Sequence, residues 1–381
     1  MAACYLDCNA TTLMAAPALA AHAAWCNRGD PSGAHAGGRE ARQMMDEFRA
    51  AVAAECGFEL GPRGYAVVYT SGAAESNSHI VTGAVRGYMA KTRRLPHVVT
   101  SAADHGTLLA CAGRLAAEGL CQLTVLPVGR AGPGLGAVAP ADLEAALRPN
   151  TCLVTVVAAN HETGVLNDLR ALAAVARRAR VPFHTDAAQL VGRLPLRAAE
   201  RGVDAFSVSF HKLGGPPGVG LLVLRRSLVD GYGLPALVAG AQNGGLRGGA
   251  ENLPGIGAAF AAFRLAAEGR AEKAARVGRL RDIAKAALAA SLPCFPLDDH
   301  EPAPAPSIDG GITPPPAPDR AGTAEARRAV RRAEDGGPPA VFWLAPADGG
   351  GRVLPNTLLL AVRRPGFSAE AARAALERRG V

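Results

Sequence analysis

Lys212 is the residue of this chain with the most to offer chemically, because of what flanks it. Val203 to Phe210 is a short apolar run, Gly214 to Gly218 is rich in glycine and proline, and Val219 to Leu224 is apolar again. The pattern predicts a strand, a turn carrying the lysine, and a returning strand. A lysine in such a turn loses part of its hydration, and a desolvated amine has a lowered pKa that suits Schiff-base formation with a carbonyl. Taken alone, Ser209-Phe210-His211-Lys212 reads more simply as a surface hairpin, since lysines are rarely buried.

The elements around it shift that balance. Residues 65–69, 97–101, 121–127, 152–158 and 182–186 read as strands, with helical stretches between them at 76–90, 106–118, 140–147 and 169–179. Such alternation predicts a mainly parallel α/β sheet flanked by helices, in which ligands bind beyond the carboxyl ends of the strands. Polar residues stand at those ends: Ser71, His105, Asn160 with His161, Asp186 with Gln189, and His211 with Lys212. The turn Ser71-Gly72-Ala73 opens a helix, so its free backbone N–H groups at the positive end of the helix dipole suit a phosphate. The same residues also serve for capping alone.

A lysine for a Schiff base, an aspartate to keep a ring nitrogen protonated, a helix start for a phosphate and a histidine to stack on a ring are the parts of a pyridoxal 5'-phosphate site. Asp186 precedes Lys212 by 26 residues, room for a strand end, a helix and another strand. Seven segments in order resemble the NifS-like cysteine desulfurases of the class V aminotransferase group. They are Tyr-Leu-Asp-x-Asn-Ala-Thr-Thr at 5–12, Thr-Ser-Gly-Ala-x-Glu-Ser-Asn at 70–77, His105, Asn-x-Glu-Thr-Gly at 160–164, His-x-Asp-Ala-x-Gln at 184–189, Ser-x-His-Lys-x-x-Gly-Pro-x-Gly at 209–218 and Arg-x-Gly-x-Glu-Asn at 247–252. A weaker echo follows at Leu354-Pro355-Asn356.

The resemblance implies a PLP-dependent transferase of fold type I, a homodimer with its site at the dimer interface, acting on a small amino acid, cysteine. It assigns Lys212 to the Schiff base, Asp186 to the pyridine nitrogen, His105 to ring stacking and catalysis, Gln189 to the ring oxygen, and Ser209 with His211 to the phosphate. Ser71, Gly72 and Ala73 join the phosphate cradle. The chain departs from the family at three further site positions: Ala74 and Ala250 stand where threonines are usual, and His161 where an asparagine reaches the ring oxygen. Both missing hydroxyls are phosphate ligands, and a charge-assisted bond of that kind contributes about 1.5–3 kcal/mol. The sequence ends at Arg378-Arg379-Gly380-Val381, where the resemblance implies the loop of the nucleophilic cysteine. The expectation is therefore a cofactor-binding protein whose desulfurase activity lacks its usual thiolate, with a non-catalytic dimeric scaffold as the alternative.

Composition sets the outer limits. The 381 residues are 49% hydrophobic and 4% aromatic, which predicts a globular core of Ala, Val and Leu. We expect a large cofactor-binding domain at 13–265 and a smaller α+β domain at 266–381, on which residues 1–12 pack. Its Pro-rich insert at 292–318 is expected to form no regular element. Further expectations are a short Arg-rich helix at 323–334, strands at 341–344 and 358–362, and a last helix at 368–379. The eight cysteines show no metal-binding spacing, so neither zinc nor a disulfide framework is expected. There is no long apolar run for a membrane, and residues 1–10 lack the layout of a signal peptide, which predicts a cytoplasmic protein. Lys and Arg number 41 against 33 acidic residues, favouring anionic ligands, but no nucleic-acid motif accompanies the charge.

Overall fold

The computed structural model describes residues 5–130, 134–291, 294–296, 340–343, 353–357 and 360–363. Two N-terminal helices, α1 (Ala16–Trp25) and α2 (Ala36–Cys56), precede an alternating series. It runs β1 (Tyr65–Thr70), α3 (Ala73–Thr92), β2 (His97–Ser101), α4 (Gly106–Ala117), β3 (Gln122–Leu126), α5 (Pro140–Ala146) and β4 (Thr151–Thr155). The second half is α6 (Leu169–Arg178), β5 (Phe183–Asp186), α7 (Ala198–Arg201), β6 (Ala205–Ser209), β7 (Gly220–Arg225) and α8 (Arg226–Tyr232). The helices α9 (Leu253–Ala267) and α10 (Arg270–Ser291) follow.

The seven strands form one sheet in the order β1-β7-β6-β5-β4-β2-β3, parallel except for β7, which runs antiparallel to both neighbours. Both faces are covered, which the side-chain alternation dictates. Val67 and Tyr69 of β1 with Leu221 and Val223 of β7 join Phe48 of α2 and Phe263 of α9 in one core layer. Ala66, Val68, Leu222 and Leu224 face the other way, onto Ile80 and Val81 of α3 and Leu108 of α4.

A second sheet of three short strands, β8 (Cys294–Pro296), β9 (Ala340–Trp343) and β10 (Leu360–Arg363), has the order β10-β9-β8. β9 and β10 match the predicted strands to within two residues. β8 is a departure: it lies in the Pro-rich insert, yet pairs parallel with β9, because Cys294 and Phe295 precede the run of prolines. The remainder of the insert, the predicted helices at 323–334 and 368–379, and the chain end lie outside the described residues. Val353 bridges to Val165, and the Leu354 N–H donates to the Gly164 carbonyl at 2.8 Å, so this segment docks on the turn after β4.

Two buried histidines staple the parallel strands. His97 of β2 bonds Thr124 of β3 and Thr151 of β4, each at 2.9 Å; His184 of β5 bonds Thr155 of β4 at 2.8 Å and Ser207 of β6 at 3.0 Å. Burial pushes both pKa values down to about 4, for His97 with help from Arg148. The start of β7 lies against the turn after β1: a Cβ on Gly220 would stand 2.5 Å from the Gly72 Cα and 2.6 Å from the Val208 carbonyl oxygen.

Gly220→Ala should therefore lower stability by about 1–3 kcal/mol, because backbone on both sides must move; the denaturant midpoint measures it, and an unchanged midpoint counts against the contact. The histidines predict a pH dependence. Between pH 6.5 and about 4 the unfolded chain binds protons that folded His97 and His184 refuse, so stability falls as pH falls, by at most about 1.4 kcal/mol per unit per group. Asp104, pushed up to about 6 by burial despite donors from Thr100, Ser101 and Val157, works in the opposite direction below pH 6. His184→Gln should flatten the slope of stability against pH over this range; the same slope as wild type would remove the staple from the account.

Candidate active site

The carboxyl ends of the parallel strands and the start of β7 share one edge. There the loops enclose a cavity of about 1100 Å³. Its walls include Ser71, Gly72 and Ala73 from the start of α3, His105 from the turn after β2, His161 from the turn after β4, Asp186 at the end of β5, and Ser209, His211 and Lys212 after β6. Nine of the eleven residues singled out for a cofactor thus meet in one place. Gln189 and Ala250 do not line it. Gln189 is buried behind the wall, and Ala250 borders a smaller cavity of about 110 Å³ shared with Ser71, Gly218 and Arg247.

Lys212 ends a short 3-10 turn, Phe210–Lys212, at the tip of the β6–β7 hairpin. Burial lowers its pKa; Asp186 pulls it back up and Arg193 pushes it further down. The turn is clamped by the N-terminal segment. Thr12 donates to the His211 carbonyl from its N–H at 2.8 Å and its hydroxyl at 2.7 Å, and its hydroxyl accepts from Gly214 N–H at 2.7 Å. Thr11 Oγ1 meets His211 Nδ1 at 3.0 Å. Burial, then the Lys212 charge, lowers the pKa of His211, which favours its neutral form.

Asp186 is buried, and both its oxygens have donors: Asn77 Nδ2 to Oδ2 at 2.7 Å and Ala188 N–H to Oδ1 at 3.0 Å. Asn77 comes from α3, so the helix that starts at the cavity also fixes the carboxylate. In the first turn of α3 the amides of Ala73, Ala74 and Glu75 precede the first intrahelical bond, Ser76 N–H to Gly72 O at 3.1 Å. Glu75 closes the turn by accepting from Ser71 N–H at 2.7 Å, and pairs with Arg247 at 3.0 Å. Burial raises the Glu75 pKa, but Arg247 and Ser71 outweigh it and leave the carboxyl below its ordinary value. Beside this amide-lined helix start, Ala74 joins the cavity wall together with Ser71, Ser209 and His211.

His105 caps α4. Its Nδ1 accepts from Thr107 N–H at 3.2 Å and lies 2.9 Å from the Thr107 hydroxyl, which places the ring proton of the neutral form on Nε2. The His161 ring lies 5.0 Å from that of His105 between centroids; burial, then His105, lowers its pKa. Asn160 shapes the turn, accepting from Glu162 and Thr163 N–H at 3.0 and 2.8 Å while donating to the Ala103 carbonyl at 2.9 Å. Sequence reasoning gave no role to Asn9, Asn77, Thr107, Arg193, Asn356 or Thr357. Asn9, Asn77 and Asn356 did stand inside the motifs, and that was the only signal. Among the described residues Cys8 is the cysteine that lines the cavity, and no group of three side chains suits a metal ion.

The family model for class V aminotransferases matches residues 4–301. The chain belongs to that family. Within it, the chain is of the NifS-like cysteine desulfurase type. It is 34% identical over 280 residues to the cysteine desulfurase IscS of Dictyoglomus turgidum, covering 73% of this chain and 67% of that one. A solved NifS-like protein superposes with a TM-score of 0.75 over 100% of this chain and 86% of the other, at 24% identity, and shows the fold. The structure described as SspA in complex with cysteine is 30% identical, with a TM-score of 0.62 over 68% of this chain and 72% of that one. The mainly parallel seven-stranded sheet is the fold of this family, whose members are in general PLP-dependent. No helix among the described residues is long and apolar enough to cross a membrane.

Asn77→Ala removes the side-chain donor to a buried carboxylate and should cost about 1–3 kcal/mol of stability. Urea unfolding would measure the loss, and a wild-type midpoint would show that Asp186 is held by other groups.

Proposed function

We propose that this chain is a PLP-dependent, cysteine desulfurase-type enzyme that acts on L-cysteine as a cytoplasmic homodimer. In this reading residues 13–265 form the cofactor-binding unit, and 266–381 with 1–12 the smaller one. The observation that carries it is a lysine amine with a lowered pKa in a cavity it shares with Asp186, an amide-lined helix start and two histidines. Among the described residues no hydrogen bond or ion pair occupies the Lys212 amine. A carbonyl-bearing cofactor is attacked by the unprotonated amine, which a lowered pKa makes more accessible. The residues present therefore fit pyridoxal phosphate.

Lys212 would hold the cofactor covalently, Asp186 the pyridine nitrogen, and the first-turn amides of α3 with Ser71, Ser209 and His211 the phosphate. His105 would lie against the ring. When bound, the cofactor supplies an electron sink for bonds at the substrate's α and β carbons. The protein's own part is positional and protonic. Asn77 and Ala188 fix both Asp186 oxygens, so one orientation of the carboxylate is available to a ring N–H. Thr107 fixes the His105 tautomer with its proton on Nε2, at the cavity wall. Lys212, with its pKa lowered by burial, takes up and returns a proton at Nζ near neutral pH more readily than an exposed lysine.

Purified protein incubated with pyridoxal phosphate should be yellow, and borohydride should fix the cofactor to Lys212, as peptide mass mapping would show. Lys212→Ala should abolish both. With dithiothreitol present to accept the sulfur atom and reduce it to sulfide as it is itself oxidised to the disulfide, alanine and sulfide release from L-cysteine should exceed the Lys212→Ala blank. A protein that stays colourless sinks the cofactor reading; a yellow protein with no release supports the scaffold alternative, which Ala74 and Ala250 favour through the two missing phosphate hydroxyls.

A further inference from the structure

We infer that Arg247 is a positioning residue for the phosphate end of the cavity: by neutralising Glu75 it lets the start of α3 accept a phosphate, and so favours a phosphorylated carbonyl cofactor over the dephosphorylated form. The inference deepens the reading proposed above and rests on it for the cofactor. It starts from a conflict of charge. Glu75 lies in the first turn of α3, where the helix dipole and the free amides favour an anion. Its carboxylate already takes part of that place, since Oε2 accepts from the Ser71 N–H at 2.7 Å and the side chain is only 13% exposed. Burial alone would raise its pKa, but Arg247 and Ser71 hold the carboxyl below its ordinary value, so it is ionised at neutral pH. A phosphate arriving at Ser71, Gly72 and Ala73 thus meets a fixed negative charge within one helical turn, and like charges in a poorly solvated wall repel.

Arg247 removes the conflict. Its Nε donates to Glu75 Oε1 at 3.0 Å, the oxygen that Ser71 leaves free, and its Nη1 donates to the Gly248 carbonyl at 3.3 Å. Neither Glu75 nor Arg247 joins the lining of the large cavity. Arg247 instead borders, with Ser71 and Gly218, the small cavity beside Ala250, so its charge acts from behind the wall and through Glu75. The loop that carries it is fastened to the main sheet. Asn243, in the left-handed region at φ 52°, accepts from the Tyr69 N–H of β1 at 3.1 Å and donates to the Arg247 carbonyl at 3.1 Å. The Gly248 N–H donates to the Val238 carbonyl at 2.8 Å, and the Gly249 N–H to Gln242 Oε1 at 3.0 Å. The guanidinium therefore reaches Glu75 from a fixed backbone, unlike the two free side chains of an ordinary surface pair. With alanine at 74 and 250, no side-chain hydroxyl at either position offsets a residual negative charge, which makes the neutralisation count for more.

Pyridoxal and pyridoxal phosphate separate this role from a structural one, because both offer the same aldehyde to Lys212 and differ in the phosphate. Arg247→Met leaves Glu75 uncompensated. It should weaken binding of pyridoxal phosphate to the cofactor-free protein about tenfold, followed by absorbance, while pyridoxal binds as it does to wild type. Glu75→Gln still accepts from Ser71, and added to Arg247→Met it should restore the preference for the phosphorylated form; Arg247→Lys should keep it. An equal loss for both aldehydes, or a double variant no better than Arg247→Met, overturns the inference, since a loop that had merely come loose would affect both ligands and would not be mended by a second substitution. Should Arg247→Met not fold, Glu75→Gln alone carries the test: Arg247 then has no carboxylate to offset, the preference should rise, and no rise overturns the inference. If wild type binds neither aldehyde, the cofactor reading falls and inorganic phosphate decides this one. It should raise the thermal midpoint of wild type and of the double variant more than that of Arg247→Met, and equal shifts overturn the inference.

Discussion

A lysine amine at the tip of a hairpin must be kept out of water without being given a partner. Hairpin tips are ordinarily the wettest part of a sheet, and a lysine there keeps its charge. Here the cover comes from the opposite end of the sequence. Thr11 and Thr12, some 200 residues away, seal the His211 carbonyl, Ala15 N–H bonds the Gly214 carbonyl at 2.8 Å, and the Gly214 N–H is tied to Thr12. The His211 and Gly214 carbonyls and the Gly214 N–H, which flank Lys212, are consequently satisfied by protein, so burying the lysine side chain does not leave these main-chain groups unpaired. The N-terminal strap is thus part of the site, though it contributes no strand to the main sheet.

The sheet does the rest through its one antiparallel strand. Because β7 returns beside β1, the Gly220 end of β7 meets the Gly72 turn, and the amide-lined start of α3 is drawn over the Lys212 hairpin. The same helix, one turn on, delivers Asn77 to Asp186. The amide-lined start of α3, the Asp186 carboxylate and Lys212 are therefore not independently placed. A shift of α3 along its axis would move the first two together relative to the third, which explains why two glycines stand at the crossing.

Much of this was legible in the sequence where local chemistry decides. Alternating apolar runs gave the strands of the main sheet to within a few residues, and strand-end polar residues marked the edge where the cavity lies. The Lys212 turn appeared as a lysine between an apolar run and a Gly/Pro stretch. What could not be read were amide bonds between distant segments: Asn9 lies 152 residues from His161 and 348 from Thr357. Neither spacing nor periodicity carries such information. Pro-richness also masked β8, which needs only three residues and a neighbour, and composition averages over longer stretches than that.

Arg193 joins these observations. A buried guanidinium is unfavourable unless its donors are met, and burial brings its pKa down to about 10. Here three acceptors from two segments meet them: the Gln189 carbonyl, Gln189 Oε1 and the Cys8 carbonyl. The charge is retained close enough to Lys212 to lower the lysine's pKa, in opposition to Asp186. The sign is decided by burial, which acts on the same side as Arg193, so the amine is biased toward its neutral form even with a carboxylate nearby. One cation therefore acts twice, mechanically by pinning the N-terminal wall and electrostatically by disfavouring a second positive charge in the cavity. Removing it by a neutral residue would relax both constraints at once.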